Sequence, residues 1–289
     1  MKKLILLLIT LFSLSAYAQN VPDSLKLWKV NGNITFNFSQ VSLTNWAAGG
    51  KTSGTGVFLS NLSANYKKDK ISWDNSAQIN YGLYKEDGKN FEKSNDKIDL
   101  SSKLGITAKG NWNYAAILSF KSQFAPGYDK DDDTKIISNF LAPGYLNLGA
   151  GMDYKTDNFS LLIAPLDGKF TFVMDDILAA DGAFGVDPGK NSRSEIGMFV
   201  KLEYKKEVVK NVTFETKLDL FSNYFHNPEN IDVDWNVLVN MKVNEYLSAN
   251  LVTRLIYDDD VKILDSETGK SAPRVQFMEM FGVGLTLKF

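Results

Sequence analysis

The carboxyl-terminal stretch reads Phe281-Gly282-Val283-Gly284-Leu285-Thr286-Leu287-Lys288-Phe289. Phe281, Val283, Leu285, Leu287 and Phe289 alternate with Gly282, Gly284, Thr286 and Lys288, the period of two that a β-strand gives its two faces. One face is wholly apolar and runs to the last residue. A strand of a water-soluble domain has no reason to end in this way. The pattern predicts a strand that turns its apolar face to lipid.

A final strand ending on an aromatic is similar to the sorting signal of bacterial outer-membrane β-barrels. That resemblance implies two partners: outer-membrane lipid, and the barrel-assembly machinery reached through the strand ending in Phe289. The amino terminus agrees. Lys2 and Lys3 form a positive region, Leu4 to Leu14 an apolar one, and Ala16-Tyr17-Ala18 a cleavage motif,. The apolar run is shorter than the ~20 residues of a spanning helix. Residues 1–18 are therefore expected to be a signal peptide, 19–30 a short periplasmic segment and 31–289 the barrel. With so little chain before the first strand, no plug domain for energised uptake is expected. No Cys follows the cleavage motif, so no lipid anchor is expected there.

The chain contains no Cys, which excludes disulfides, thiol catalysis and thiolate metal sites,. Loss of Lys2 and Lys3 on cleavage takes the formal charge from −2 to −4. A mildly acidic chain without a basic block is a poor partner for nucleic acid. The mean hydropathy of −0.19 suits a barrel, whose polar interior dilutes its apolar exterior.

The alternation recurs along the chain. Ile71, Trp73, Ala77, Ile79, Tyr81 and Leu83 share one face of 71–84. Ile231, Val233, Trp235, Val237, Val239, Met241 and Val243 share one face of 231–243. About twelve such segments are expected, near 32–40, 55–66, 70–84, 96–109, 111–124, 144–155, 158–173, 194–206, 211–224, 230–243, 246–258 and 274–289. Their length suits tilted membrane strands of roughly 9–11 residues. The seventh is the least regular, because Pro165 and Asp167-Gly168 interrupt it. Short connections (67–69, 110, 155–158, 207–210, 244–245) alternate with long ones (41–54, 85–95, 125–143, 174–193, 259–273). Only 225–229 is short on the long-loop side. Such barrels place short turns in the periplasm and long loops outside. Tyr66, Trp73, Trp112, Tyr114, Tyr154, Tyr204 and Tyr246 near the short turns, with Tyr81, Phe124, Tyr224 and Tyr257 near the long loops, read as two interfacial girdles. Strands of a β-sandwich would carry similar aromatics; the two termini favour the barrel. The expected fold is all-β, a transmembrane antiparallel up-and-down β-barrel of about twelve strands.

Gln40-Val41-Ser42-Leu43-Thr44-Asn45-Trp46-Ala47-Ala48-Gly49-Gly50 resembles the opening signature of a Bacteroidota family of outer-membrane β-barrels known only as a domain of unknown function. Gln123–Tyr128, Phe140–Tyr145, Asp219–Tyr224 and Ile256–Asp260 match it too. The resemblance implies an outer-membrane location and no assigned activity, so it transfers no functional residues.

Inward faces carry both charge signs: Asp74, Asp99, Lys103, Lys121, Asp153, Glu203, Glu215, Lys217, Asp219, Asp234, Lys242 and Arg254, with Glu195 and Lys201. They form either a salt-bridged filling or a charge-lined passage, and twelve strands lie between filled and open barrels. The leading expectation is a porin-like passive channel for small polar solutes, with a weak cation preference. The alternative is a closed structural or binding barrel that engages a ligand or partner with its outer loops. A third reading, a phospholipase-like rim enzyme using Ser222 and His226, lacks the sequence context of a nucleophile, so no enzyme is expected. No cofactor is expected either. Asp129, Asp131 and Asp133 offer carboxylates at a spacing open to Ca²⁺, but Thr134 and Phe140 stand where an EF-hand needs Gly and Glu. Asp258, Asp259 and Asp260 would have to meet that loop for a shared site.

Overall fold

Period-two alternation becomes strand wherever both neighbours can accept the ladder. The computed structural model describes residues 27–43, 51–129, 132, 134–264 and 271–289. The readings made on 1–18, on 19–26 of the periplasmic segment, on 44–50 of the signature and on Asp131 and Asp133 lie outside these residues. Among the described residues, twelve long strands close into one antiparallel barrel. They are β1 (Trp28–Val41), β2 (Ser53–Lys68), β3 (Ile71–Glu86), β4 (Phe91–Lys109), β5 (Trp112–Ser122), β8 (Gly144–Lys155), β9 (Phe159–Phe172), β10 (Ser192–Val209), β11 (Val212–Asn223), β12 (Ile231–Lys242), β13 (Leu247–Tyr257) and β16 (Gln276–Lys288). Each pairs with the next in chain order, and β16 returns to β1. The fold is the expected up-and-down transmembrane barrel. β1 starts at Trp28, so residues 28–30, read as preceding the barrel, pair with β2 opposite Tyr66, Asn65 and Ala64.

The distribution of side chains is inverted relative to a soluble protein. Phe281 is 65% and Leu166 64% exposed on the outside, whereas Lys97 is 4% and Asp153 3% exposed inside. An outward apolar surface of this extent needs lipid around it. At the short-turn end the aromatics touch: Trp28 packs against Tyr66 and Trp73 with centroids 5.3 and 5.6 Å apart, and Trp112 against Tyr154 at 5.2 Å.

Two-residue turns at that end use Asp69, Gly110 and Asn211 at positive φ, the conformation that tight hairpin turns demand. At the opposite end the 85–95 connection is shorter than expected. β3 and β4 continue as a ladder through Lys85↔Phe91, leaving a turn at 87–90. The charged run Lys85-Glu86-Asp87 reads as loop, but above the apolar belt a strand has no need to alternate. The longer loops carry a hairpin of β6 (Gly127–Tyr128) and β7 (Ile136–Ser138), the short helix α1 (Asp176–Ala180), and a hairpin of β14 (Lys262–Leu264) and β15 (Ser271–Pro273).

β9 is continuous, and the irregularity read at Pro165 is a bulge. The ladder to β8 steps from Ala150↔Leu166 to Met152↔Ile163, and the ladder to β10 slips at the same level. The bulge absorbs the extra residue that a proline without N–H would leave unpaired. Gly151 faces it, and a Cβ there would lie 2.6 Å from Ala164 Cα. The seam between β1 and β16 runs only over Asn33–Asn37, with Gly32 and Phe289 exchanging backbone hydrogen bonds just below.

Candidate functional site in the barrel lumen

The strand pleat aims Asp99, Lys121, Lys201, Asp219, Asp234 and Arg254 into the middle of the barrel, where they join into one network. Lys121 Nζ donates to Asp219 at 2.6 Å and Asp234 at 2.7 Å, and Lys201 donates to Asp219 at 2.9 Å. Arg254 holds Asp234 at two points. Lys97 lies 3.1 Å from Asp99 and donates to Gln78 and Asn236. Toward the short turns, Lys103 meets Asp153 at 2.9 Å and Ser160 at 2.6 Å, and Lys155 bonds Asp74. There Glu203 faces Lys217 at 3.8 Å and Glu215 faces Lys205 at 2.9 Å. Lys242 sits exposed at that rim. Toward the loops, Lys169 reaches Asp232 at 2.5 Å, Asp258 at 3.4 Å and Glu195 at 3.9 Å, and Arg193 links Glu195 to Asp260. The signs interleave, so these charges neutralise one another instead of forming a ring of like charge.

This network does not fill the lumen evenly. On the β5–β11 side, Ala115, Ile117, Leu162, Ala164, Phe199 and Phe221 form a buried apolar cluster inside the barrel. Above it, Ala142, Val173, Leu178, Ala179 and Val186 knit the loops into a cap. Asp175 starts α1 by accepting from the N–H groups of Ile177 and Leu178. The Asn139 amide, aided by those N–H groups, holds its carboxyl below the usual carboxylate range.

Hollow space remains on the β1–β4 and β12–β16 side at the loop end, and across the lumen at the short-turn end. A cavity of about 1210 Å³ opens at the loop end and a second of about 500 Å³ at the short-turn end. Asn33, Asn61, Glu215, Lys217 and Leu238 line both. The walls are rich in amides: Gln78, Asn80, Asn95, Asn236 and Asn250 border the larger cavity. An aliphatic strip of Val57, Leu59, Leu238, Val252, Met278 and Met280 runs beside them.

The other expected sites are dispersed. Asp129 lies 3.6 Å from Lys135, and Asp132 accepts from the hydroxyl and N–H of Thr134, which hold its carboxyl below the usual range. Asp258, Asp259 and Asp260 are engaged by Lys169, Asn230 and Arg193. Among the described residues no cluster of three His, Cys, Asp or Glu side chains is spaced to hold a metal. Ser222 donates its hydroxyl proton to the Pro228 carbonyl at 2.7 Å, which engages the group that a rim nucleophile needs.

Lys97, Lys155, Lys169, Arg193, Lys205 and Asp232 belong to the network without having been singled out in the sequence. Alternation from Asp99 or Asp234 reaches Lys97 and Asp232 directly. Lys169 is hidden because the bulge at Pro165 shifts the phase of β9. The lining amides carry no sequence signal beyond being polar.

The family described as a protein of unknown function (DUF3078) matches residues 38–128. That span includes the 40–50 signature and Gln123–Tyr128, whereas the stretches beginning at Phe140, Asp219 and Ile256 lie outside it. No curated protein matches the chain. Among solved structures it is similar to an outer membrane channel from Pseudomonas putida F1, at 12% identity over 94% of this chain and 100% of that one, with a TM-score of 0.41. It is also similar to the translocator domain of the autotransporter NalP from Neisseria meningitidis, at 8% identity, 97% and 95% coverage and a TM-score of 0.35. The outer membrane protease OmpT from Escherichia coli is similar at 11% identity, 90% and 96% coverage and a TM-score of 0.24.

Proposed function

We propose that this chain is a bacterial outer-membrane barrel that passes small polar solutes passively through the hollow part of its lumen. The observation that carries the reading is that five residues, Asn33, Asn61, Glu215, Lys217 and Leu238, line the cavities of both ends. The two cavities thus meet at one level of the lumen. In this reading the protein catalyses no reaction and needs no cofactor or metal. Residues 1–18 direct export, the strand ending in Phe289 engages the assembly machinery, and the 40–50 signature assigns the chain to the Bacteroidota barrels it resembles.

Purified protein in planar bilayers tests this. Discrete conductance steps, with swelling of liposomes in small neutral solutes, are expected. A well-folded barrel that gives neither would overturn the passage. The alternative, a closed barrel binding at its loops, is favoured by one observation: the Lys121–Asp219–Asp234 network bridges strands across the lumen.

A further inference from the structure

We propose that the short-turn rim of the barrel docks on anionic phospholipid headgroups and gathers them around the protein in that leaflet. The proposal rests on the membrane setting of the reading above, and it holds whether or not the lumen conducts.

Lysines at the short turns carry it. Lys67, Lys68 and Lys70 stand at the turn between β2 and β3, and Lys109 at the turn between β4 and β5. Lys206 and Lys210 stand at the turn between β10 and β11, and Lys242 at the end of β12. Lys29 on β1 and Lys288 on β16 complete the circuit. All of them are exposed, and only Asp69, Asp157, Glu207 and Glu245 stand against them. The ion pairs of this rim, Lys155 with Asp74 and Lys205 with Glu215, use none of them. Among the described residues no carboxylate pairs with these lysines. The loop end has no such excess, since exposed Asp87, Asp132, Asp176, Asp181, Asp187 and Glu229 offset Lys85, Lys89, Lys135, Lys190 and Lys262.

Their height on the wall identifies the partner. Trp28 touches Tyr66 and Trp73, Trp112 touches Tyr154, and Tyr204 touches Phe214, which marks the edge of the apolar belt. Lys29 follows Trp28, Lys67 and Lys68 follow Tyr66, Lys109 precedes Trp112, and Lys206 follows Tyr204, each within three residues. A strand advances ~3.3 Å per residue, and the polar layer on each side of a bilayer is roughly 5–8 Å deep. The ammonium groups therefore sit at headgroup depth. Lys68 shares the outward face of Tyr66, and Lys206 lies opposite outward Phe214,. A solute in the lumen has no access to outward lysines. A soluble partner would meet one patch, whereas these lysines encircle the barrel as lipid does. A headgroup with net negative charge is held there by ammonium groups whose alkyl stems lie along the apolar wall.

The chain has no Cys, so one introduced Cys carries a fluorophore at a chosen place. Val209→Cys marks the short-turn end and Phe225→Cys the loop end, both at exposed side chains. The full chain is reconstituted in phosphatidylcholine vesicles with a minor share of phosphatidylglycerol, alike in both leaflets. One lipid at a time carries a spin label high on its acyl chain, and quenching is compared per labelled lipid. Phosphatidylglycerol is expected to quench at Val209→Cys roughly two- to fivefold more than phosphatidylcholine at low salt, and about equally at Phe225→Cys. About 0.5 M NaCl should bring the first ratio close to one. The combined Lys68→Gln, Lys70→Gln, Lys206→Gln and Lys210→Gln substitutions should do the same.

Heat-modified gel mobility reports whether the fourfold variant folds; the pairs Lys68→Gln with Lys70→Gln and Lys206→Gln with Lys210→Gln serve if it does not. A ratio of one at Val209→Cys in low salt, equal enrichment at both ends, or a ratio unmoved by salt or by the folded variants overturns the proposal. Binding of soluble polyglutamate with a lipid ratio of one assigns the rim to an acidic soluble partner and overturns it too. A chain that does not insert into vesicles refutes the membrane setting and the proposal together, whereas an inserted barrel without enrichment refutes the lipid docking alone.

Discussion

Arg254 grips Asp234 at two points, Nε to Oδ1 and Nη2 to Oδ2, both at 3.1 Å. The second oxygen also accepts from Lys121 at 2.7 Å. Asp234 thus neutralises two cations and ties β5 and β13 to β12.

Asp234→Asn is therefore expected to act on stability as well as on ion preference. Removing one partner of a buried ion pair costs about 3–5 kcal/mol, and the partial water access of this site puts the loss at the low end. Adding Lys121→Met should recover part of it, since the two sites are coupled. Urea midpoints in micelles measure both. An unchanged midpoint for Asp234→Asn would contradict the network.

Ion preference should be governed by Glu215 and Lys217, because both cavities touch them. Glu215→Gln leaves Lys205 in excess and should shift permeability toward anions. Lys217→Met leaves Glu203 in excess and should shift it toward cations. Each shift should be a few-fold, as expected of one charge in a confined lumen. Reversal potentials in asymmetric KCl read the sign, and shifts of the same sign would contradict the assignment.

Gly151→Ala should be costly, because the new methyl meets the backbone of Ile163 and Ala164 at the bulge. Overpacking of this kind costs about 1–3 kcal/mol. Gly54→Ala, whose methyl would meet only Ser39 O at 3.9 Å, should be nearly neutral. Denaturation midpoints of the two variants, compared side by side, decide it.

The cap over the loop end should loosen in acid. The Asp175 carboxyl is held low in the folded chain, so its contribution is present above the unfolded carboxylate value of about 3.9. It is lost as the pH falls through the still lower folded value. Asp175→Ala removes the helix cap outright, at about 1 kcal/mol, and should flatten the acid response. Protease cleavage within 173–191 as a function of pH measures this. Identical profiles for the two proteins would rule the cap out.

A protease site inserted after β6 should be cut on intact cells, and one at Asn244-Glu245 should not. The expectation follows from the barrel's alternation of long and short connections. The reverse pattern of cleavage would invert the assigned orientation.

Strand order and face assignment were legible because the barrel obeys one rule along its length: β12 shows it from Ile231 to Lys242 with a single inward Leu238. The rule fails where lipid stops enforcing it, so the charged extension of the β3–β4 hairpin read as loop. It also fails at Pro165, where one extra residue reverses the faces and conceals Lys169. The division of the lumen was not legible. Whether Lys121 meets Asp219 or faces water depends on strands ninety-odd positions away, and period two says which side a residue faces but not what stands opposite.

The barrel can also be regarded as a hoop made of staves. β1 is fastened to β2 along its whole length, from Trp28 to Val41, but to β16 only from Gly32 to Asn37. Above Asn37 the seam has no ladder to share the load. The hoop therefore has one weak joint, and it joins the two ends of the described chain. Mechanical or detergent stress is expected to part the wall there first, leaving each remaining joint with a free edge.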